Sequence, residues 1–177
     1  MKDHLPLMLD LTSKEIVIFG GGDVGERKAS LFCEHARVTI ISREFTPGLN
    51  ALFQKEKIKL IKVKDLTETD IRQFMKNAFI TIPATNDSLL NEKIASIASE
   101  NGKLVNRVDD MGDIIVPSVI KRGNVVIGIS TVGQSPALSK YIRLLNDNDV
   151  WAAFGESYEK AYKAASRHID RIGERNV

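Results

Sequence analysis

One stretch near the N-terminus limits the fold more than any other. Glu15-Ile16-Val17-Ile18-Phe19 is a short apolar, β-branched run that leads straight into Gly20-Gly21-Gly22-Asp23-Val24-Gly25. A run of this kind suits a strand buried on both faces. Residues 23–35 follow with helical spacing, with Val24, Lys28, Leu31 and Phe32 at turn-by-turn positions. The pattern predicts strand, tight turn and helix, with Gly20-x-Gly22-x-x-Gly25 at the junction. In that setting the three glycines have separate tasks: a tight turn, close backbone approach to a pyrophosphate, and close packing of helix on sheet. The first helix amides, at Asp23 and Val24, would face the phosphates, where the helix dipole is positive. A glycine-rich turn that holds no ligand is the plainer alternative.

The same alternation continues. Residues 38–41, 58–63, 79–82 and 104–105 read as strands, and 47–55, 67–76 and 88–101 as helices, with Thr67 an expected N-cap and Gly102 a stop. Strands alternating with helices predict a parallel sheet covered on both sides, a Rossmann-type α/β domain over residues 1–112. Beyond it the rhythm changes. Residues 114–116 and 125–130 read as two antiparallel strands joined through Pro117 and Arg122-Gly123-Asn124, and 136–145 as a helix with proline in its first turn. Residues 113–146 are expected to form a small α+β segment, and 147–177 a C-terminal helical tail.

Composition narrows the functional classes. The net charge is +2 and acids are interleaved with bases, which gives no footprint for nucleic acid. The opening residues lack a signal-peptide core, and no apolar run approaches the ~20 residues of a membrane span. A cytoplasmic protein without a membrane partner is expected. Cys33 is the single cysteine, and His4, His35 and His168 are dispersed, so neither a disulfide framework nor a resident metal site is expected.

In such folds the second strand ends near the adenosine ribose, where an acid recognises the 2′-hydroxyl. Here the chain reads Ile41-Ser42-Arg43-Glu44. Glu44 stands late for that task and Arg43 suits a 2′-phosphate, so NAD and NADP both remain open at this point. Pro83-Ala84-Thr85-Asn86-Asp87 follows the fourth strand. Thr85 and Asn86 could reach a ribose or a nicotinamide carboxamide; equally, Asn86 or Asp87 could cap the next helix.

Several motifs together resemble one family. His4-Leu5-Pro6 precedes Leu9-Asp10-Leu11, followed by residues 20–29, Ala84-Thr85-Asn86-Asp87, Asn91, Val105-Asn106-Arg107-Val108-Asp109, residues 116–122 and residues 129–138. In this order and spacing they resemble the precorrin-2 dehydrogenase family, the dehydrogenase/ferrochelatase module of siroheme synthase, over residues 4–146. The resemblance implies NAD-dependent oxidation of precorrin-2 to sirohydrochlorin. In some members it also implies insertion of ferrous iron, and it implies a homodimer built by the segment after the nucleotide domain. It further implies Asp109 as the catalytic residue and Asn106 as a cofactor contact. Thr131 stands where some members carry a regulatory phosphoserine. Gly25 replaces a frequent alanine, Arg107 a usually apolar residue, and Asp110 doubles the acid beside Asp109. The tail after Leu145 is shorter than the family pattern, and the fused methyltransferase module is absent.

A carboxylate such as Asp109 at the end of the fifth strand could accept the proton released when NAD takes a hydride. The many carboxylates of precorrin-2 call for cations, because guanidinium pairs with carboxylate at two points. Arg107, Lys121, Arg122, Lys140 and Arg143 are candidates, with Ser130 and Thr131 as polar neighbours, although each charge taken singly reads equally as solvated surface. Two other readings compete: a bifunctional enzyme that also chelates iron, and a non-catalytic NAD-sensing module.

Overall fold

The computed structural model describes residues 4–107, 112–122, 125–131, 135, 137–139 and 141. The chain divides into two compact units, Met1–Ile115 and Val116–Val177.

The first unit holds a five-stranded sheet in the order β3-β2-β1-β4-β5. Its strands are β1 Glu15–Phe19, β2 Arg37–Ser42, β3 Lys59–Lys62, β4 Ile80–Pro83 and β5 Leu104–Val105. Every pairing is parallel, with Phe19 opposite Ile41 on one side and Pro83 on the other. The chain runs outward from β1 to β3 and then crosses back to β4. The sheet therefore has its topological switch between β1 and β4, where α/β folds bind ligands at the carboxyl ends of the strands.

Burial explains the strand sequences. Ile16, Val17, Ile18 and Phe19 are all fully buried, as befits a central strand covered on both faces. Helices α1 Asp23–Phe32, α2 Pro47–Gln54, α3 Glu68–Phe74 and α4 Ser88–Glu100 connect the strands. Val17, Phe19, Ile41 and Val105 pack with Ile71 and Met75 of the α3 region and with Ile94, Ile97 and Ala98 of α4. Thr67 caps α3 as the sequence predicts: its hydroxyl accepts from the Asp70 amide, and the Asp70 carboxylate accepts from the Thr67 amide at 2.9 Å. Donation from the Thr67 hydroxyl at 2.6 Å, and then from the Thr67 amide, holds the Asp70 carboxyl below its ordinary range. Gly102 ends α4 with φ of +65°, the left-handed conformation a glycine stop requires. Among the described residues, no helix is long and apolar enough to cross a membrane.

The second unit contains an antiparallel pair, β6 Ser118–Arg122 and β7 Val125–Ile129. This corrects the strand expected at residues 114–116. The strand starts after Pro117, because the stretch before it is bonded elsewhere: the Asp113 and Ile114 amides both donate to the Val105 carbonyl, at 2.9 and 3.2 Å. Ile120 is buried at 4% exposure, while Val119 and Tyr141 are 45% and 59% exposed. Residues 137–139 and 141 are helical, and the Leu138 amide donates to the Ser135 hydroxyl. The tail expected at residues 147–177 lies outside the described residues.

Candidate active site

The carboxyl ends of β1, β2, β3 and β4 open onto one cleft of about 710 Å³. Its floor is the glycine turn. Gly20 has φ of +127°, and a Cβ there would run into the Ala84 carbonyl of the neighbouring turn. A Cβ on Gly25 would meet the Gly20 carbonyl, so this glycine seats α1 against the turn. Nothing lies within 4 Å of a Cβ built on Gly22. Helix α1 starts on Gly22 with no side-chain cap. Helices α2, α3 and α4 are capped by Thr46, Thr67 and Asp87. An open hollow in front of uncapped helix amides has the shape and polarity a pyrophosphate needs, so these residues fit a dinucleotide.

Seven of the predicted cofactor residues line this cleft: Gly20, Gly22, Ser42, Arg43, Glu44, Thr85 and Asn86. Asp23, Val24 and Gly25 form the first turn of α1 beneath it. In the turn after β4 the capping role falls to one residue. Asp87 is the cap, accepting from the Leu89 and Leu90 amides at 3.0 and 3.1 Å, whereas Asn86 is exposed at the cleft. The Thr85 hydroxyl faces the Asn91 side-chain oxygen at 2.8 Å and the Asp87 carbonyl at 3.0 Å. Asn91, buried, clasps the Thr85 backbone from both sides, accepting from its amide and donating to its carbonyl, each at 2.9 Å.

The cleft also contains residues the sequence reading passed over: Phe45 and Thr46 after β2, Val63, Lys64, Asp65 and Leu66 after β3, and Leu90 of α4. The available signal was topological. If β3 lies beside β2, the loop after it must reach the same edge. Arg43 bridges the two loops, its Nε donating to the Lys64 carbonyl at 2.7 Å and its Nη2 to the Asp65 carboxylate at 3.0 Å.

Asn106 sits just past β5 and is 3% exposed. Its side-chain oxygen accepts from the Lys28 ammonium at 2.7 Å, and its amide donates to the Ile114 carbonyl at 2.8 Å. Burial, and then the Arg27 charge, push Lys28 below the ordinary lysine range. Nearby, the Asp113 carboxylate accepts from the Val105 amide at 3.1 Å, and His4 Nε2 lies 3.3 Å from the Gly112 carbonyl. The described residues on either side of positions 108–111 are thus fastened to β5 and its neighbours. Asp109 lies outside the described residues. Arg107 is ion-paired with Glu92 of α4.

In the second unit the Thr131 hydroxyl accepts from the Ser135 amide at 3.0 Å and lies 3.3 Å from the Ser139 hydroxyl. Ser130 is exposed, and Lys140 and Arg143 lie outside the described residues.

Comparison with known proteins agrees with this arrangement. The family model described as "Putative NAD(P)-binding" matches residues 7–118. A precorrin-2 dehydrogenase of Methanosarcina barkeri is 41% identical, the match covering 92% of each chain. A siroheme synthase of Zymomonas mobilis is 31% identical, covering 98% of this chain and 36% of its own length. The solved structure of "SirC, precorrin-2 dehydrogenase" superposes with a TM-score of 0.69 at 28% identity, over 90% of this chain and 76% of that one. A switch-point cleft floored by a dinucleotide fingerprint, and a near full-length relative of that name, lead to one assignment: the chain belongs to the precorrin-2 dehydrogenase family.

Proposed function

We propose that this protein oxidises precorrin-2 to sirohydrochlorin with NAD as the cofactor. One observation carries the reading: the glycine turn, the uncapped start of α1 and the tips of β2 and β4 share a single cleft at the switch point. NAD, when bound, supplies the acceptor for a hydride. Gly20, Gly22 and the first amides of α1 hold its pyrophosphate. Ser42, Arg43 and Glu44 face its adenosine ribose, and Thr85 and Asn86 border the far side.

The proton that leaves with the hydride goes to a carboxylate, which in this reading is Asp109. A base must be held where it meets the reacting carbon. The clasp made by Lys28, Asn106 and Asp113 supports that role, because it fixes both ends of the stretch that carries Asp109. Asn106 then acts through Asp109 as a positioning residue, with its own polar atoms turned into the protein. Arg107, Ser130, Thr131 and Lys140 are the groups we assign to the substrate carboxylates. Ferrous iron would enter as a second substrate, a reading favoured by siroheme synthase relatives that match 98% of the chain. The sensor alternative is not favoured, since the near full-length relative is a dehydrogenase.

A homodimer built by the second unit is part of the proposal. An isolated two-stranded hairpin is marginal in water, and this one exposes Val119, Val126 and Ile127. Cytoplasmic location suits an enzyme with one free cysteine.

The test is anaerobic turnover. Purified protein given precorrin-2 and NAD should produce NADH absorbance together with sirohydrochlorin. Asp109→Asn should lose turnover by roughly a hundredfold or more while keeping its affinity for NAD. Turnover unchanged in that variant would remove Asp109 from the mechanism, and NAD binding without any turnover of the wild type would favour the sensor.

A further inference from the structure

We infer that Asp65 makes this cleft choose NAD over NADP, by occupying the guanidinium that would otherwise bind a 2′-phosphate. The inference rests on reading the cleft as a dinucleotide site and adds the residue that sets its selectivity.

In this fold the adenosine ribose is recognised at the end of the second strand. An acid there takes the 2′-hydroxyl, and an arginine accommodates a 2′-phosphate. Strand β2 ends at Ser42, and the next two residues are one of each kind, Arg43 and Glu44. Sequence alone leaves the choice open, because an unengaged arginine at this point would invite the phosphate.

The tertiary structure engages it. Arg43 donates from Nε to the Lys64 carbonyl at 2.7 Å and from Nη2 to Asp65 Oδ1 at 3.0 Å. Nε and Nη2 form the side-on fork of the guanidinium, the edge that grips a carboxylate or phosphate at two points. Both partners lie in the loop after β3 that lines the cleft. Asp65 therefore does two things: it takes the Nη2 side of the fork, whose Nε side the Lys64 carbonyl holds, and it adds a second negative charge to the rim that carries Glu44. With Arg43 and Lys64 as the cations and Glu44 and Asp65 as the anions, the rim carries no net positive charge to attract a phosphate. Selectivity of this kind works by repulsion and lost partners as much as by attraction.

The pair is well exposed, with side chains 74% and 69% accessible. Exposed ion pairs add little to stability, so breaking this one leaves the fold intact for measurement.

The experiment is calorimetric titration of the full chain with NAD and, separately, NADP. The wild type should bind NAD the more tightly. Asp65→Asn keeps the side-chain shape and removes the charge. It should raise NADP affinity by roughly three- to tenfold and move NAD affinity by less than about twofold. Adding Arg43→Ala to Asp65→Asn should abolish that gain, and Arg43→Ala alone should not raise NADP affinity. An unmoved ratio in Asp65→Asn, or a gain that survives loss of Arg43, overturns the inference while the dinucleotide reading stands. A wild type that binds neither nucleotide overturns both.

Discussion

Two strand-to-helix turns meet at the switch point and solve the same local problem in opposite ways. In the β1–α1 turn the helix begins on Gly22 and no side chain caps it. In the β4–α4 turn the helix begins on Asp87, whose carboxylate takes two amides, and Asn91 locks Thr85 two residues earlier. Every helix start leaves amide donors without partners inside the helix. Where a carboxylate takes them up, the start is complete and repels a further anion. Where a bare glycine stands there, the donors and the dipole remain available to one. The two turns touch, since Gly20 packs on the Ala84 carbonyl, so one serves as the binding floor and the other as its rigid wall.

Substitutions at the two turns should separate these roles. The largest effect is expected at Gly20→Val. Its φ of +127° and the Ala84 carbonyl leave no room for a side chain. The combined strain and overpacking should cost about 2–5 kcal/mol of stability and abolish NAD binding, read from urea unfolding and titration. Next is Gly22→Val. Space around this residue is open and its φ of −83° suits any residue, so the unfolding midpoint should hold. NAD affinity should nevertheless fall by roughly tenfold or more, because the side chain would occupy the space intended for the pyrophosphate. Unchanged affinity there would break the contrast between the turns. The smallest effect belongs to Asp87→Ala, which loses a helix cap worth about 1 kcal/mol and should retain NAD affinity. A large loss of binding in that variant would mean the wall takes part in recognition.

Much of this was legible in the residues. Glu15–Phe19 reads as a buried strand because its apolar residues are consecutive, and Thr67 reads as a cap because its partner lies only three residues away. The strand misread at residues 114–116 shows the limit. Their β-branched sequence suits a strand, but the amides of Asp113 and Ile114 are taken by Val105. Asn106 shows another limit: its side chain is bonded to Lys28, 78 positions earlier, and to the Ile114 carbonyl, partners that no local pattern announces.

The sequence by itself determined the alternating α/β order, the glycine turn and the helix punctuation, since each depends on hydrophobic period, backbone freedom or partners within a few residues. The tertiary structure alone decided that Asp65 meets Arg43, and that Lys28 and Asn106 fasten the end of β5. Those contacts form only when the sheet order brings distant loops to one edge, and no local pattern along the chain encodes that order.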